Sequence, residues 1–223
     1  MKPLENKIRK KLEPWFLLIC FFLILGLALM IQSKLEELFK LHFSVSTNNA
    51  IFGLLNFFLV CFFFFYYKKK FPELLSQLRF SIKYFLYGLF TLFVLVLIYD
   101  FLPNLFILKE LAPYNFEKIS WSIIEFIVPI FIGPILEEVF FRGILLRLFI
   151  DSYSLSWGIV LCGLSFAVLH LVPLPGQTLF SLFMEFFARW FHGILLSAVT
   201  YKTKNLSFAF GFHIANNFLA FLS

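Results

Sequence analysis

Long apolar runs separated by short charged stretches dominate the chain. A membrane-spanning helix needs about 20 mostly apolar residues, and about 17 to 25 are tolerated. Seven segments meet or approach this length: Trp15 to Ile31, Ile51 to Tyr67, Tyr84 to Leu102, Trp121 to about Leu146, Ser156 to Val172, Leu179 to Tyr201 and Leu206 to Leu222. The pattern predicts an all-α fold, a polytopic membrane helix bundle of about seven transmembrane helices, with eight possible.

Composition supports lipid as the solvent of this fold. Of the 223 residues, 61% are apolar and 14% are charged, and the mean hydropathy is +0.90. A soluble domain has about 45 to 50% apolar and roughly 25% charged residues. The net charge of +6 does not indicate nucleic acid, because the basic residues lie between apolar runs and form no recognised binding motif. We therefore expect membrane lipid as a partner and no nucleic acid.

The distribution of Lys and Arg predicts the orientation, because cytoplasmic loops carry the excess of these residues. With seven spans, most of the 19 basic residues fall on the same side of the membrane as the N-terminus. We predict a multi-pass protein of the bacterial cytoplasmic membrane, with a cytoplasmic N-terminus and an outward C-terminus.

Polar residues inside these segments are few, and such residues are costly in lipid, so they are functional candidates. They are Glu137, Glu138 and Arg142 in the fourth segment, His170 in the fifth, Glu185, Arg189 and His192 in the sixth, and His213, Asn216 and Asn217 in the seventh. At about 1.5 Å per residue, Glu137, His170 and His213 lie roughly 15, 21 and 12 Å from the cytoplasmic ends of their segments. These depths all fall near the middle of the bilayer, so we expect a shared polar cavity there.

The residue types indicate hydrolytic chemistry. Glu137 is a candidate general base for a hydrolytic water, and His170 could hold that water or exchange its proton. Glu138 is adjacent to Glu137 and points about 100° away, so the two should have different roles. Glu138 and Arg142 are spaced i and i+4, which predicts a supporting ion pair. A structural ion pair at a helix end is the alternative for these two residues.

His213 and Asn217 are also spaced i and i+4, so both side chains can direct hydrogen-bond donors at one point. Two such donors could form an oxyanion hole for a tetrahedral intermediate. Asn217 has a second interpretation as a side chain that joins two helices, and His170 has one as a core histidine. Asn216, the neighbour of Asn217, should face elsewhere.

Three short motifs in order resemble the CAAX-protease and bacteriocin-processing (Abi) family of intramembrane endopeptidases, which includes the type 2 CAAX prenyl proteases. They read EEVFFR from Glu137, FAVLH from Phe166 to His170, and HIANN from His213. The resemblance covers 121–223 and implies that these are the catalytic helices, while 1–120 supplies additional transmembrane helices within a single domain over 1–223. It implies that Glu137 and His170 activate water and that His213 and Asn217 stabilise the oxyanion, with Glu138, Arg142 and Phe166 in support.

Metal dependence has two interpretations. A set of Glu137, His170 and His213 would satisfy the ligand rule for catalytic zinc. No HExxH helix is present, and Asn217 suits oxyanion donation better than metal binding. We favour a metal-independent glutamate mechanism without a cofactor, and zinc is the alternative.

Other functions also fit parts of the pattern. A proton-coupled transporter would use midplane Glu, His and Arg, but no inverted repeat is visible. A non-catalytic immunity or scaffold protein is the third alternative. The residues Glu185, Arg189 and His192 form one polar stripe that the resemblance does not explain, and we interpret them as a cavity wall, an internal salt bridge or a substrate contact. If the resemblance holds, the substrate is a hydrophobic peptide or protein, prenylated in CAAX processing, or a maturing bacteriocin.

Overall fold

The computed structural model describes residues 2–39, 45–96, 123–171 and 178–222, and the regular structure in these ranges is helical. The α-helices are α1 (Lys2–Phe39), α2 (Val45–Lys68), α3 (Leu74–Gln77), α4 (Ile82–Val96), α5 (Ile123–Ile127), α6 (Gly133–Glu138), α7 (Leu146–Ser152), α8 (Leu155–Leu169), α9 (Leu179–Thr203) and α10 (Ser207–Leu222). Two π-helical segments, π1 (Val128–Ile132) and π2 (Val139–Leu145), join α5, α6 and α7. We call the continuous run over residues 123–152 the central helix.

Each of the seven predicted segments falls on a helix, which confirms the all-α prediction for the described residues. Three of these segments extend beyond the described residues. The parts outside are residues 97–102, 121–122 and 172. Among the described helices, α9 alone is long and apolar enough to cross a bilayer by length and hydropathy, and three shorter helical stretches are apolar. The number of spans therefore stays a prediction.

The central helix lies in the main hydrophobic core because π2 is apolar on nearly every side. All seven residues of π2 are buried. Phe140 is fully buried and stacks on Phe21 of α1 with ring centroids 4.0 Å apart, and it also contacts Phe63 of α2. Helices α1 and α2 therefore hold the part of the central helix that carries the candidate residues.

Glycines set the close helix contacts that place α10, the helix of His213. A Cβ atom on Gly88 of α4 would lie 2.1 Å from the carbonyl oxygen of Phe208, and one on Gly211 would lie 2.2 Å from that of Phe85. The α4 and α10 backbones can touch only because neither glycine has a side chain, as is common at helix interfaces in membranes. Helices α8 and α9 meet in the same way at Gly163 and Gly193.

Substitution of either glycine at the α4/α10 contact should destabilise the fold. For Gly88→Ala and Gly211→Ala we expect a loss of about 1–3 kcal/mol in unfolding free energy, because the new methyl group overlaps backbone atoms. Gly26→Ala in α1 is the matched control, since a Cβ there meets nothing within 4 Å. Thermal unfolding in detergent measures all three variants. Equal midpoints for Gly26→Ala and Gly88→Ala would contradict the close contact.

Candidate active site

Three helices bring the carboxylate of Glu137 and the imidazoles of His170 and His213 together. Glu137 lies in α6, His170 directly follows α8, and His213 lies in α10. The Glu137 Oε2 atom is 3.3 Å from His170 Nε2 and 3.7 Å from His213 Nε2. We call these three side chains the central cluster. His170 follows Glu137 by 33 residues and His213 follows His170 by 43, so helix packing rather than local sequence brings the three side chains into contact.

The end of α8 explains how His170 is oriented. The backbone N–H of His170 bonds the carbonyl of Ala167 at 3.2 Å, so the last turn tightens. The carbonyl of Phe166 is therefore available, and His170 Nδ1 donates to it at 2.8 Å. The two rings also pack with centroids 4.3 Å apart. Phe166 thus fixes both the position of the His170 ring and the nitrogen that carries its hydrogen.

Glu138 orients the second imidazole. Its Oε1 atom accepts a hydrogen bond from Arg142 Nη1 at 2.8 Å and another from His213 Nδ1 at 2.8 Å. The Glu138 and Arg142 side chains are fully buried, and the guanidinium lies 4.3 Å from the centre of the Phe166 ring. The predicted Glu138–Arg142 pair is present, in the interior and not at an exposed helix end. The bond from His213 to Glu138 was missed from the sequence.

Both imidazoles therefore direct Nε2 towards Glu137. Each ring uses its Nδ1 hydrogen elsewhere, so a neutral ring has only a lone pair on Nε2. A lone pair facing a carboxylate oxygen is repulsive unless a proton or a cation lies between the two atoms. The geometry of the central cluster is consequently suited to hold and transfer a proton, or to bind a cation.

The donor set also meets part of the requirement for zinc. One ligand atom from each of Glu137, His170 and His213 can be chosen so that all lie within 4.8 Å of one another. Tetrahedral zinc bonds of about 2.0–2.1 Å place ligand atoms roughly 3.3 Å apart. The Glu137–His170 distance of 3.3 Å fits this value, while the distance of 3.7 Å to His213 would need a small contraction. The Nδ1 bonds to a backbone carbonyl and a carboxylate are those of metal-bound histidines.

Asn217 joins α10 to a local break in the central helix. In π1 the N–H of Gly133 bonds the carbonyl of Val128, and the residue five after Pro129 is Pro134, which has no N–H. The carbonyl of Pro129 is thereby left without a helical partner, and Asn217 Nδ2 donates to it at 2.9 Å. One amide hydrogen of Asn217 is therefore structural, and the second is available to a ligand. The five-residue spacing of the two prolines was the sequence signal for this break.

Asn216 and the α9 stripe occupy other positions. Asn216 Nδ2 lies 3.5 Å from Asn217 Oδ1, so it contacts its neighbour and not the central cluster. On α9, Arg189 pairs with Glu185, and the His192 ring lies 5.1 Å from that of Phe212. The stripe is a partly exposed salt bridge next to an aromatic contact, and His192 lies on the side of α9 that faces α10.

Comparison with known proteins gives one family match, to the C-terminal part of the chain. Residues 119–219 match the sequence profile of the family described as Type II CAAX prenyl endopeptidase Rce1-like. This match includes every residue of the central cluster, and it supports membership of the CAAX-protease family. The members are integral membrane proteins, and membership supports a CAAX-type protease. Comparisons with curated proteins and with solved structures gave no match.

Removal of one partner of the buried ion pair should be strongly destabilising. Arg142→Met leaves Glu138 as a buried charge that keeps only the bond from His213, and we expect a loss of about 3–5 kcal/mol in unfolding free energy. Lys10→Met is the control, because Lys10 pairs with Asp151 at 3.1 Å on the surface and exposed pairs contribute about 0–1 kcal/mol. Thermal unfolding in detergent compares them. Similar effects of the two substitutions would argue against the buried pair.

Replacement of Asn217 should test its structural bond. Asn217→Leu leaves the Pro129 carbonyl unpaired, so we expect a stability loss of about 1–3 kcal/mol. Asn216→Leu should cost less, since the Asn216 amide donates to Asn217 Oδ1 over a long distance of 3.5 Å. Unfolding midpoints of both variants give the measurement. An Asn217 variant as stable as the wild type would show that this bond contributes little.

Proposed function

We propose that this member of the type II CAAX prenyl endopeptidase family is an intramembrane endopeptidase that uses Glu137 to activate water. The convergence of Glu137, His170 and His213 from three helices carries the proposal. It brings one carboxylate and two oriented imidazoles to a single point, as hydrolysis of a peptide bond requires. The substrate is a membrane-associated or lipidated protein or peptide.

Glu137 and His170 form the water-activating pair in this proposal. The Glu137 side chain is 31% exposed and that of His170 is 20% exposed, so both side chains can contact a water molecule. Glu137 accepts one proton as the water oxygen attacks the scissile carbonyl carbon. That proton, held between Glu137 and His170, passes to the leaving amine when the C–N bond breaks. The second proton of the water stays on the new carboxylic acid until that acid ionises, so the products are a carboxylate, an amine and one released proton.

His213 and Asn217 stabilise the oxyanion in this proposal. His213 can donate from Nε2 only as imidazolium, because Nδ1 already donates to Glu138. Asn217 donates with the amide hydrogen that Pro129 does not use. Together they supply two donors, and loss of one such donor costs roughly 3–4 kcal/mol in other hydrolases.

The proposed mechanism requires no cofactor. If zinc were bound, Glu137, His170 and His213 would hold it, and it would supply Lewis-acid activation of water and the scissile carbonyl. The favoured metal-independent route rests on the available Glu137 carboxylate and on Asn217, which suits oxyanion donation.

The exposed surface of the helices suggests where the protein encounters its substrate. Most exposed large side chains on α2, α4 and α9 are apolar, including Phe58, Phe90 and Phe180, which fits contact with membrane lipid. We propose that the substrate reaches the central cluster within the bilayer, with a prenyl chain or a hydrophobic peptide segment in the lipid. The proposed topology keeps the N-terminus cytoplasmic and the single domain spanning the bilayer about seven times.

Cleavage by purified protein should depend on the Glu137 carboxylate. Glu137→Gln should lower the cleavage rate by about 10²–10⁴-fold, because the general base is lost while the side-chain volume is kept. Glu37→Gln is the control, since Glu37 is an exposed partner of Lys34 in α1. The assay follows lipidated and unlipidated hydrophobic peptides by mass spectrometry, with a strong zinc chelator in a parallel arm.

The two arms separate the mechanisms. Chelator-resistant cleavage that Glu137→Gln abolishes supports the glutamate mechanism. Chelator-sensitive cleavage restored by zinc would assign the central cluster to a metal. Cleavage unchanged in Glu137→Gln would overturn the proposed role of Glu137 in either form.

A further inference from the structure

The polar stripe on α9 lies on the side of that helix that faces the candidate active site. Gly193 contacts α8 at Gly163, and His192 contacts α10 at Phe212. At about 100° per residue, Arg189 points between the directions of His192 and Gly193. Arg189 therefore faces the space between α8 and α10, the two helices that supply the imidazoles of the central cluster.

The stripe is also close to the cluster along the helix axis. His192 contacts Phe212, the residue before His213. Arg189 precedes His192 by three residues, or roughly 4.5 Å along α9. Glu185 precedes His192 by seven residues, or about 10 Å. The backbone of Arg189 is therefore about one helical turn from the level of Phe212 and His213.

The hydrogen bonds and the exposure of Arg189 suggest that its side chain binds a ligand. The Nε and Nη2 atoms of Arg189 both donate to Glu185 Oε1, with the Nε bond at 3.0 Å. The guanidinium is planar, and Glu185 occupies the edge formed by Nε and Nη2. The Nη1 group therefore points away from Glu185. The Arg189 side chain is 34% exposed, in contrast to the fully buried Arg142. An arginine in a membrane protein that keeps a third of its surface accessible is suited to bind an anionic group.

We infer that Arg189, held in place by Glu185, binds a carboxylate of the peptide substrate beside the central cluster. The inference rests on the proposed endopeptidase function and extends it to substrate recognition. Two sources of this carboxylate share the same chemistry, a C-terminal carboxylate close to the scissile bond and an acidic side chain near it. A bidentate arginine contact would set the distance between that carboxylate and the bond that is cut.

Binding of matched peptides tests the inference separately from catalysis. The probe is a prenylated hydrophobic peptide with a fluorescent label at its N-terminus. It is prepared in four forms, which combine a C-terminal carboxylate or carboxamide with an internal Asp or Asn. Affinity is measured on the Glu137→Gln protein, which should bind without cleaving. One charge-assisted contact should make the carboxylate form bind about 10–100-fold more tightly than its neutral partner.

Variants of the stripe assign this preference to Arg189. The double variant Glu185→Gln with Arg189→Gln removes both charges of this ion pair together, and it should bind the two peptide forms equally. Glu185→Gln alone should keep the preference, because a glutamine oxygen can still accept from Arg189 and hold it in place. Arg147→Gln is the matched control, since Arg147 pairs with Glu73 at 3.3 Å on other helices, and it should keep the preference.

The outcomes are distinct. A preference for the C-terminal carboxylate, or for the internal Asp, that the double variant loses supports the inference and identifies the source. Equal affinity of the paired peptides for the parent protein, or a preference that survives in the double variant, overturns it. A preference without cleavage by the wild-type protein would overturn the endopeptidase function and leave the binding site standing.

Discussion

The shared carboxylate of Glu138 is the interaction on which the candidate site depends. One oxygen accepts from Arg142 and from His213, each at 2.8 Å, with no exposure of Glu138 or Arg142 to solvent. A buried carboxylate in an apolar bundle is costly unless it is paired and hydrogen-bonded. Pairing with a cation on its own helix and an imidazole on α10 offsets that cost and fixes the position of α10 relative to the central helix.

Adjacent glutamates consequently have separate roles. Glu138 faces the interior and contacts Nδ1 of His213, whereas Glu137 is partly exposed and lies on the Nε2 side of the same ring. The two carboxylates thus contact opposite nitrogens of one imidazole. The internal one sets its hydrogen bonding, and the accessible one remains available to a water or a substrate.

Much of the site follows from helix geometry applied to the sequence. The depths of Glu137, His170 and His213 could be estimated because the rise per residue of a helix is nearly constant, and the Glu138–Arg142 pair follows from the i, i+4 spacing. The bonds from His213 to Glu138 and from Asn217 to Pro129 could not be predicted in this way. They depend on the rotation of α10 against the central helix, which Gly88 and Gly211 set through backbone contact with α4.

The π-helical segments connect this geometry to the chemistry. Each inserts an extra residue into a helical turn, and such distortions frequently occur at functional sites. Here π1 and π2 lie on either side of α6, the short helix that carries both glutamates. The orphan carbonyl of Pro129 in π1 recruits Asn217, and Arg142 in π2 reaches back to Glu138. Side-chain hydrogen bonds at these two distortions therefore connect both ends of α6 to its surroundings. Regular helical hydrogen bonding is interrupted on each side of α6, but these bonds fix the position of Glu137.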